Sequence, residues 1–179
     1  MSKGIVIYKS KYGAAKKYAG WLSADCGFVC AELAEAKKTD LSAYDTIVLC
    51  GGIYASGIAG LSFLKKRLPV WSGKRVAVFC TGASPADEEA LAALRQRNMR
   101  GPLESVPLFY GRGMWDQPHM RFMDRTLCGL LQKSVAKKDP ASYEPWEKAL
   151  MSAVGQSCDW TDRSCLAPLL AWIDNGTVQ

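Results

Sequence analysis

The hydrophobic pattern of the chain divides residues 4–112 into short apolar runs separated by mostly amphipathic segments. The runs are rich in β-branched and aromatic residues, which is typical of strands buried in a sheet. They lie at residues 5–8, 28–33, 46–50, 75–80 and 106–110. Other segments, including one near the C-terminus, repeat apolar residues at helical spacing. These predict helices at residues 14–25, 58–68, 84–98 and 162–174.

This alternation predicts an α/β fold, with a five-stranded parallel sheet in a single domain that spans the whole chain. Residues 28–33 mix polar and apolar faces, as an outer strand does, and Pro107 fits an edge strand. Residues 37–44 predict a loop with one short helical turn. Ser84 followed by Pro85 predicts a helix start with the serine as its N-cap.

A longer segment, from Met114 to about Ser157, is not required by the alternation and is predicted to be a helical insertion. Its apolar residues form one stripe at helical spacing, and most of its basic residues lie off that stripe. The stripe consists of Met120, Met123, Leu127, Leu130, Leu131 and Val135. Two interpretations follow: the stripe packs on the domain's own core, or the segment rests on an anionic membrane surface.

Composition excludes several classes of protein. No apolar run approaches the length of a membrane span, and the N-terminus enters a strand without room for a signal peptide, which predicts a cytoplasmic protein. Seven cysteines without a CxxC pair, and the single histidine His119, argue against a metal site and favour reduced thiols. The net charge of +6 indicates anionic partners, but no basic run interleaves with aromatics as nucleic-acid binding requires.

The turn between the first strand and the first helix has the character of an anion site. A helix N-terminus presents backbone N–H groups and the positive end of a dipole. Ser10 and Tyr12 can add hydroxyl donors, and Gly13 allows close approach of the backbone. Lys16 and Lys17 lie in the first helical turn, where a bound anion would offset their unfavourable position. The alternative is an ordinary turn with solvated lysines.

Two further loops, at residues 51–57 and 81–84, follow the third and fourth strands and are rich in glycine, small side chains and hydroxyls. Carboxyl ends of parallel strands meet at one edge of the sheet, so these loops lie beside the anion site. Small residues leave space for a flat ring, on which Tyr54 can stack. An anion site beside two such loops predicts a mononucleotide with a planar group as the ligand. The missing GxGxxG motif argues against a dinucleotide, and the missing P-loop lysine motif argues against ATP or GTP hydrolysis.

On these loops the chain resembles the flavodoxin-like family, which binds FMN noncovalently and has strand order 2-1-3-4-5. The resemblance implies FMN as cofactor. It implies that the phosphate is bound by Ser10, Lys11, Tyr12, Gly13, Ala14 and Ala15. It implies that the ring is bound by Gly52, Ile53, Tyr54, Ala55, Ser56, Gly57, Thr81, Gly82, Ala83 and Ser84. Ala15 lacks the usual hydroxyl of the family motif, and Tyr12 replaces a smaller donor.

Residues 120–125 and the pair Asp159-Trp160 resemble one branch of that family, the menaquinone-dependent protoporphyrinogen dehydrogenases. This likeness implies a quinone-coupled FMN oxidoreductase with peripheral membrane contact through residues 118–138. It also implies substrate contacts from Arg112, Trp115, Arg121 and Arg125. No acid–base residue stands out as catalytic. Two alternatives stay open: a flavodoxin-type electron carrier for a redox partner, and a flavodoxin-like scaffold that has lost FMN.

Overall fold

The core of the fold in the computed structural model, which describes residues 3–176, is one parallel sheet. Its strands are β1 Gly4–Lys9, β2 Val29–Glu32, β3 Thr46–Tyr54, β5 Arg75–Gly82 and β6 Leu108–Arg112. A two-residue strand, β4 Gly57–Ile58, pairs antiparallel with the end of β3. The parallel strands lie in the order β2-β1-β3-β5-β6. This is the predicted 2-1-3-4-5 order once β4 is left out, and the predicted fold class is confirmed.

Helices cover both faces of the sheet. They are α1 Ala14–Cys26, α2 Leu33–Ala36, α3 Leu61–Arg67, α4 Glu88–Asn98 and α7 Ala167–Asp174, while α5 Phe122–Val135 and α6 Pro145–Ser152 belong to the insertion. In β1, Ile5 and Ile7 pack in one core with α3, whereas Val6 packs in a second core with α1 and α7. Because successive strand residues face opposite sides, burial on both faces requires the continuous apolar runs seen in the sequence.

The two edges of the sheet lie where the sequence predicts them. On one edge β2 pairs with β1, and the Val29 side chain is half exposed. On the other edge β6 pairs with β5. Pro107 directly precedes β6, and its carbonyl accepts a hydrogen bond from the Val78 backbone N–H. A proline can stand there because it needs no ladder donor of its own.

Several predicted boundaries are wrong. Helix α3 begins at Leu61 instead of residue 58, because Ile58 belongs to β4, and the predicted loop 53–57 is the tip of the β3–β4 hairpin. Ala55 and Ser56 there adopt left-handed backbone conformations with φ of 48° and 64°. Glycine or asparagine usually occupies such positions in hairpin turns. Because the chain has alanine and serine there, the sequence does not predict the hairpin.

Two helix starts also differ from prediction. Helix α4 begins at Glu88 with Asp87 as its N-cap, whose carboxylate accepts from the Ala90 N–H. This aspartate takes the role that we predicted for Ser84. The short helical turn is α2, which precedes residues 37–44 and starts where a reciprocal Glu32–Glu35 capping box satisfies two backbone donors.

The insertion has a compact structure of its own. Strands β7 Met114–Asp116 and β8 Ser157–Asp159 pair antiparallel at its base, and α5 and α6 lie between them in the chain. It leaves the domain and returns at one point, where the Trp160 N–H donates to the Gly113 carbonyl at 3.1 Å. Among residues 3–176, no helix is both long enough and apolar enough to span a membrane.

Candidate functional site

A pocket of about 380 Å³ lies where the three predicted loops meet the insertion. The loops contribute Lys11, Tyr12, Ala14, Gly52, Ile53, Tyr54, Ala55, Thr81, Gly82 and Ala83. The insertion contributes Met114, Trp115, Met120, Asp124, Leu127, Cys128 and Leu131. The side of the pocket that faces the insertion is therefore mostly apolar, and its size is within the range of small-ligand sites.

Six predicted binding residues do not line this pocket: Ser10, Gly13, Ala15, Ser56, Gly57 and Ser84. The Ala15 side chain, on α1, is buried in the core between the sheet and the helices α1 and α7. Ser56 and Gly57 belong to the hairpin tip, and the Ser84 carbonyl accepts from the Tyr110 hydroxyl.

The turn before α1 keeps the features of an anion site. Gly13 is the N-cap in the left-handed region, with φ of 97°, and no side chain caps the helix. The first turn of α1 holds no acidic residue. Helix N–H groups thus remain available to an anion. Lys17 lies in the first turn of α1 as predicted, and its ammonium pairs with Asp159 at 2.6 Å.

Tyr54 connects the first two loops. Its hydroxyl accepts from the Lys11 backbone N–H at 2.7 Å, and the Lys11 ammonium lies 4.7 Å from the centre of its ring. A methyl group at Gly52 would lie 2.4 Å from that hydroxyl, so glycine is required for this arrangement. Burial raises the pKa of Tyr54. The tyrosine is neutral and fixes the geometry of the turn.

Asp124, on the first turn of α5, reaches the same turn from the insertion. Its carboxylate accepts from the Tyr12 hydroxyl at 2.5 Å and from the Lys11 ammonium at 3.1 and 3.3 Å. The hydrogen bonds from Tyr12 and Lys11 hold the pKa of Asp124 below its usual range. Burial and the bond to Asp124 raise the pKa of Tyr12 to about 12. The pair therefore exists as carboxylate and phenol.

Sequence reasoning missed Asp124. One signal was present: residues 118–138 contain five Lys and Arg side chains but only this one acid, which gives a local net charge of +4. A single acidic side chain in a basic segment is expected to form a specific ion pair or hydrogen bond in the folded protein. Its partners, however, are 112 and 113 residues away in the chain.

Of the four predicted substrate residues, only Trp115 lines the pocket, and its indole N–H donates to the Ala153 carbonyl. Arg112 donates to the Ala83 carbonyl and lies 4.0 Å above the centre of the Trp160 ring. Arg125 donates to the Pro118 and Met120 carbonyls. Arg121 precedes α5 as its N-cap residue. Arg112 and Arg125 thus support backbone segments beside the pocket instead of lining it.

Helix α5 exposes most of its apolar stripe. Met120 and Val135 are buried, but Met123 is 73% exposed and Leu130 is 60% exposed. Leu127 and Leu131 line the pocket and are exposed as well, and Phe122 extends the same surface. We call these five residues, 122, 123, 127, 130 and 131, the α5 face. The expectation that Met123, Leu127 and Leu131 pack on the core is wrong.

Within residues 3–176, no cluster of histidine, cysteine, aspartate and glutamate side chains could hold a metal ion. Cys50 and Cys80 are buried in the sheet, and burial raises the pKa of both thiols. Cys128 lies in the pocket wall, and burial raises the pKa of its thiol too. These thiols are therefore protonated and poor nucleophiles at neutral pH.

Comparisons with known proteins agree with this architecture. A family model described as a flavodoxin domain matches residues 5–142. A search of curated protein sequences gives no match. The match to the family model confirms the fold and supports FMN as the cofactor.

Solved structures with similar folds include a flavodoxin, a WrbA-like protein from Agrobacterium tumefaciens. It is 19% identical, with coverage of 70% of this chain and 88% of that one and a TM-score of 0.44. The Trp repressor binding protein of Bacillus subtilis is 16% identical, covers 62% and 84%, and has a TM-score of 0.44. A flavodoxin mutant from Fusobacterium nucleatum bound to flavin mononucleotide is 12% identical, covers 63% and 71%, and has a TM-score of 0.40.

Proposed function

This chain belongs to the flavodoxin domain family, and we propose that it is an FMN-dependent oxidoreductase that exchanges electrons with a membrane quinone. The observation that carries this proposal is the pocket shared by the FMN loops and the apolar side of α5. A domain that only carries electrons between proteins does not need a helix over its cofactor loops.

The residues present fit FMN. The uncapped N-terminus of α1, with Gly13 in the left-handed region, suits the phosphate, and the small residues at 52–55 and 81–83 leave room for the ring. Bound FMN would supply the electron and hydride transfer. The chain would position it and shield it from water with Trp115 and with Leu131 of the second half of α5.

Charge supports the quinone as a partner. Reduced flavin carries negative charge, and nearby cations stabilise that form, each by about 1 kcal/mol or less when solvent screens it. Of the chain's net charge of +6, residues 118–138 carry +4. A raised flavin potential suits electron exchange with a quinone better than very low-potential chemistry.

The α5 face supports a membrane as the source of the quinone. Three of its residues, Phe122, Met123 and Leu130, do not line the pocket, yet all are more than half exposed. The other two, Leu127 and Leu131, continue this surface into the pocket. A helix with an apolar face and basic neighbours binds the interface of an anionic bilayer. An apolar quinone would thus reach the pocket without crossing water.

The test replaces the part of the α5 face that lies outside the pocket. Phe122→Ser, Met123→Ser and Leu130→Gln are combined in one variant, and Val70→Ser, another exposed apolar residue, is the control. FMN in each protein is reduced without oxygen and mixed with phosphatidylglycerol vesicles that contain menaquinone. Flavin reoxidation is followed by absorbance, which requires no knowledge of the physiological donor.

We expect the triple variant to bind FMN normally, to lose sedimentation with the vesicles and to react at least tenfold more slowly than the control. Each of the three side chains, when half-buried in the bilayer interface, contributes on the order of 1 kcal/mol to membrane binding. A water-soluble short-chain quinone should react equally with all three proteins. Equal reaction of the triple variant with vesicle menaquinone would remove the membrane from the proposal. A wild-type protein oxidised by neither quinone would favour the electron carrier, and a protein that binds no FMN would favour the scaffold.

We do not extend the proposal to a porphyrin substrate. Of the three arginines predicted to bind its carboxylates, Arg112 and Arg125 donate to backbone carbonyls, and Arg121 does not line the pocket. The guanidinium groups of Arg112 and Arg125 have further N–H donors, but neither group lines the pocket.

A further inference from the structure

Four hydrogen-bond donors of residues 10–13, which we call the phosphate turn, already have acceptors within the chain. The Lys11 N–H donates to the Tyr54 hydroxyl at 2.7 Å, and the Gly13 N–H donates to the Ser10 hydroxyl at 3.0 Å. The Tyr12 hydroxyl and the Lys11 ammonium both donate to Asp124. Two of these acceptors, the hydroxyls of Tyr54 and Ser10, are neutral groups of the hairpin and the turn. Asp124 is different, because it is an anion and it belongs to the insertion.

The Asp124 carboxylate presents two anionic oxygens that accept hydrogen bonds, as a phosphate group does. Its two carboxylate oxygens contact the two side-chain donors that a phosphate group on this turn would also attract, and both donor–acceptor pairs are at most 3.3 Å long. Two anions cannot share these donors without repulsion, which is strong where solvent is partly excluded. The Asp124 side chain is only 27% exposed, so its charge is incompletely screened.

The same contact holds α5 in place. Farther along the helix, the Gln132 amide exchanges hydrogen bonds with Gln117, and Val135 is buried. Near its start, the contacts with the domain are made by Asp124 and by the buried Met120 beside it. Loss of the Asp124 contact would therefore loosen the first half of α5 while its second half stays docked.

We propose that Asp124 competes with the FMN phosphate for Lys11 and Tyr12, so that cofactor binding releases the start of α5 and opens the pocket to the second substrate. This inference rests on the proposed function. Since coupling between two sites is reciprocal, docking of α5 must weaken FMN binding by the same factor by which FMN weakens docking. Riboflavin, which has the ring but no phosphate, should not take part in the competition.

The test compares the binding of FMN and riboflavin to the full-length protein, freed of flavin, and to Asp124→Asn. The amide keeps the shape of the carboxylate and removes its charge. We expect FMN to bind Asp124→Asn about tenfold more tightly than wild type, which corresponds to about 1.4 kcal/mol. Riboflavin should bind both proteins with affinities within about twofold, because it brings no phosphate to the turn.

Asp116→Asn is the matched control. Asp116 is also a carboxylate of the insertion, but it accepts from Ser157 and faces His119. Its replacement should leave the affinity for FMN unchanged. Equal or weaker FMN binding by Asp124→Asn would overturn the inference while leaving the function intact. Failure of every variant to bind either flavin would instead overturn the cofactor assignment, and the competition with it.

Limited digestion with trypsin measures the predicted release of α5. Cleavage after Arg125, in the first half of α5, should be accelerated several-fold by FMN in wild type but not by riboflavin, because only the phosphate displaces Asp124. Cleavage after Lys133, in the half that stays docked beside Gln132, should not respond to either flavin. In Asp124→Asn the bond after Arg125 should be cut quickly without any flavin. Cleavage of wild-type α5 that ignores FMN would show that the helix does not move and would overturn the inference.

Discussion

Helices α1 and α5 have similar amphipathic patterns but different surroundings. The apolar residues of α1 are buried against the sheet, as Tyr18 and Leu22 illustrate. The apolar stripe of α5 is largely exposed and forms one side of the pocket. The comparison teaches that a periodic stripe specifies a helix with one apolar face but does not specify what covers that face.

The largest expected difference is in stability. Leu22→Ala in α1 should lower the free energy of unfolding by about 2–5 kcal/mol, because the side chain is fully buried. Leu130→Ala in α5 should change it by less than about 0.5 kcal/mol. Urea denaturation of both variants at low protein concentration measures the difference. A large loss for Leu130→Ala would mean that the α5 face is covered in solution.

The next effect concerns the two ends of α1. Gly13→Glu should weaken FMN binding at least about 100-fold, since it brings a negative charge to the helix end that suits an anion. Gly27→Glu is the control: Gly27 also has a positive φ, of 70°, but lies at the opposite end of α1 with open space around it. Both variants place a side chain at positive φ, so the control carries backbone strain of the same kind.

Flavin fluorescence titration measures both affinities. FMN bound in full stoichiometry by folded Gly13→Glu would contradict the assignment of the phosphate to residues 10–15. Weak binding by both glutamate variants would instead trace the effect to backbone strain.

The smallest effect tests whether the insertion has stability of its own. Glu147 is buried in α6, and its hydrogen bond from Lys138 holds its pKa below the ordinary 4.5. A carboxylate with a lowered pKa stabilises the fold above its unfolded-state pKa and loses that contribution as the pH falls through the folded-state value. Glu147→Gln should therefore melt below wild type at pH 7, and the gap should narrow below about pH 4.5.

Glu89→Gln, in the first turn of α4, controls for the loss of one exposed carboxylate. Thermal melts followed by circular dichroism at several pH values supply the comparison. A gap between Glu147→Gln and wild type that is constant from pH 7 to strongly acidic pH would show that the Lys138 pair does not stabilise the insertion.

The sheet and the three loops could be predicted because they depend on local patterns and on one topological rule. Apolar runs gave the strands, and the carboxyl ends of β1, β3 and β5 meet at one edge of the sheet. The β3–β4 hairpin escaped prediction because its turn uses Ala55 and Ser56 at positive φ. Local residue preferences argue against that conformation, so tertiary contacts must impose it.

The site beyond the loops could not be predicted in the same way. Asp124 and Arg112 act through partners that only the folded chain brings near, at separations of 112 and 29 residues. Charge patterns indicate that such side chains need partners but do not identify them. The stripe on α5 shows the same limit, because its period is independent of the surface that it meets.

The bond between the Trp160 N–H and the Gly113 carbonyl has a consequence for how such a protein can be assembled. Residues 114–159 enter and leave the domain through neighbouring backbone positions, so their removal leaves two ends that a short linker can join. The sheet needs no new register to accept or lose this unit. A genetic insertion at the end of β6 can thus add a new surface beside the cofactor loops without changing the order of the strands.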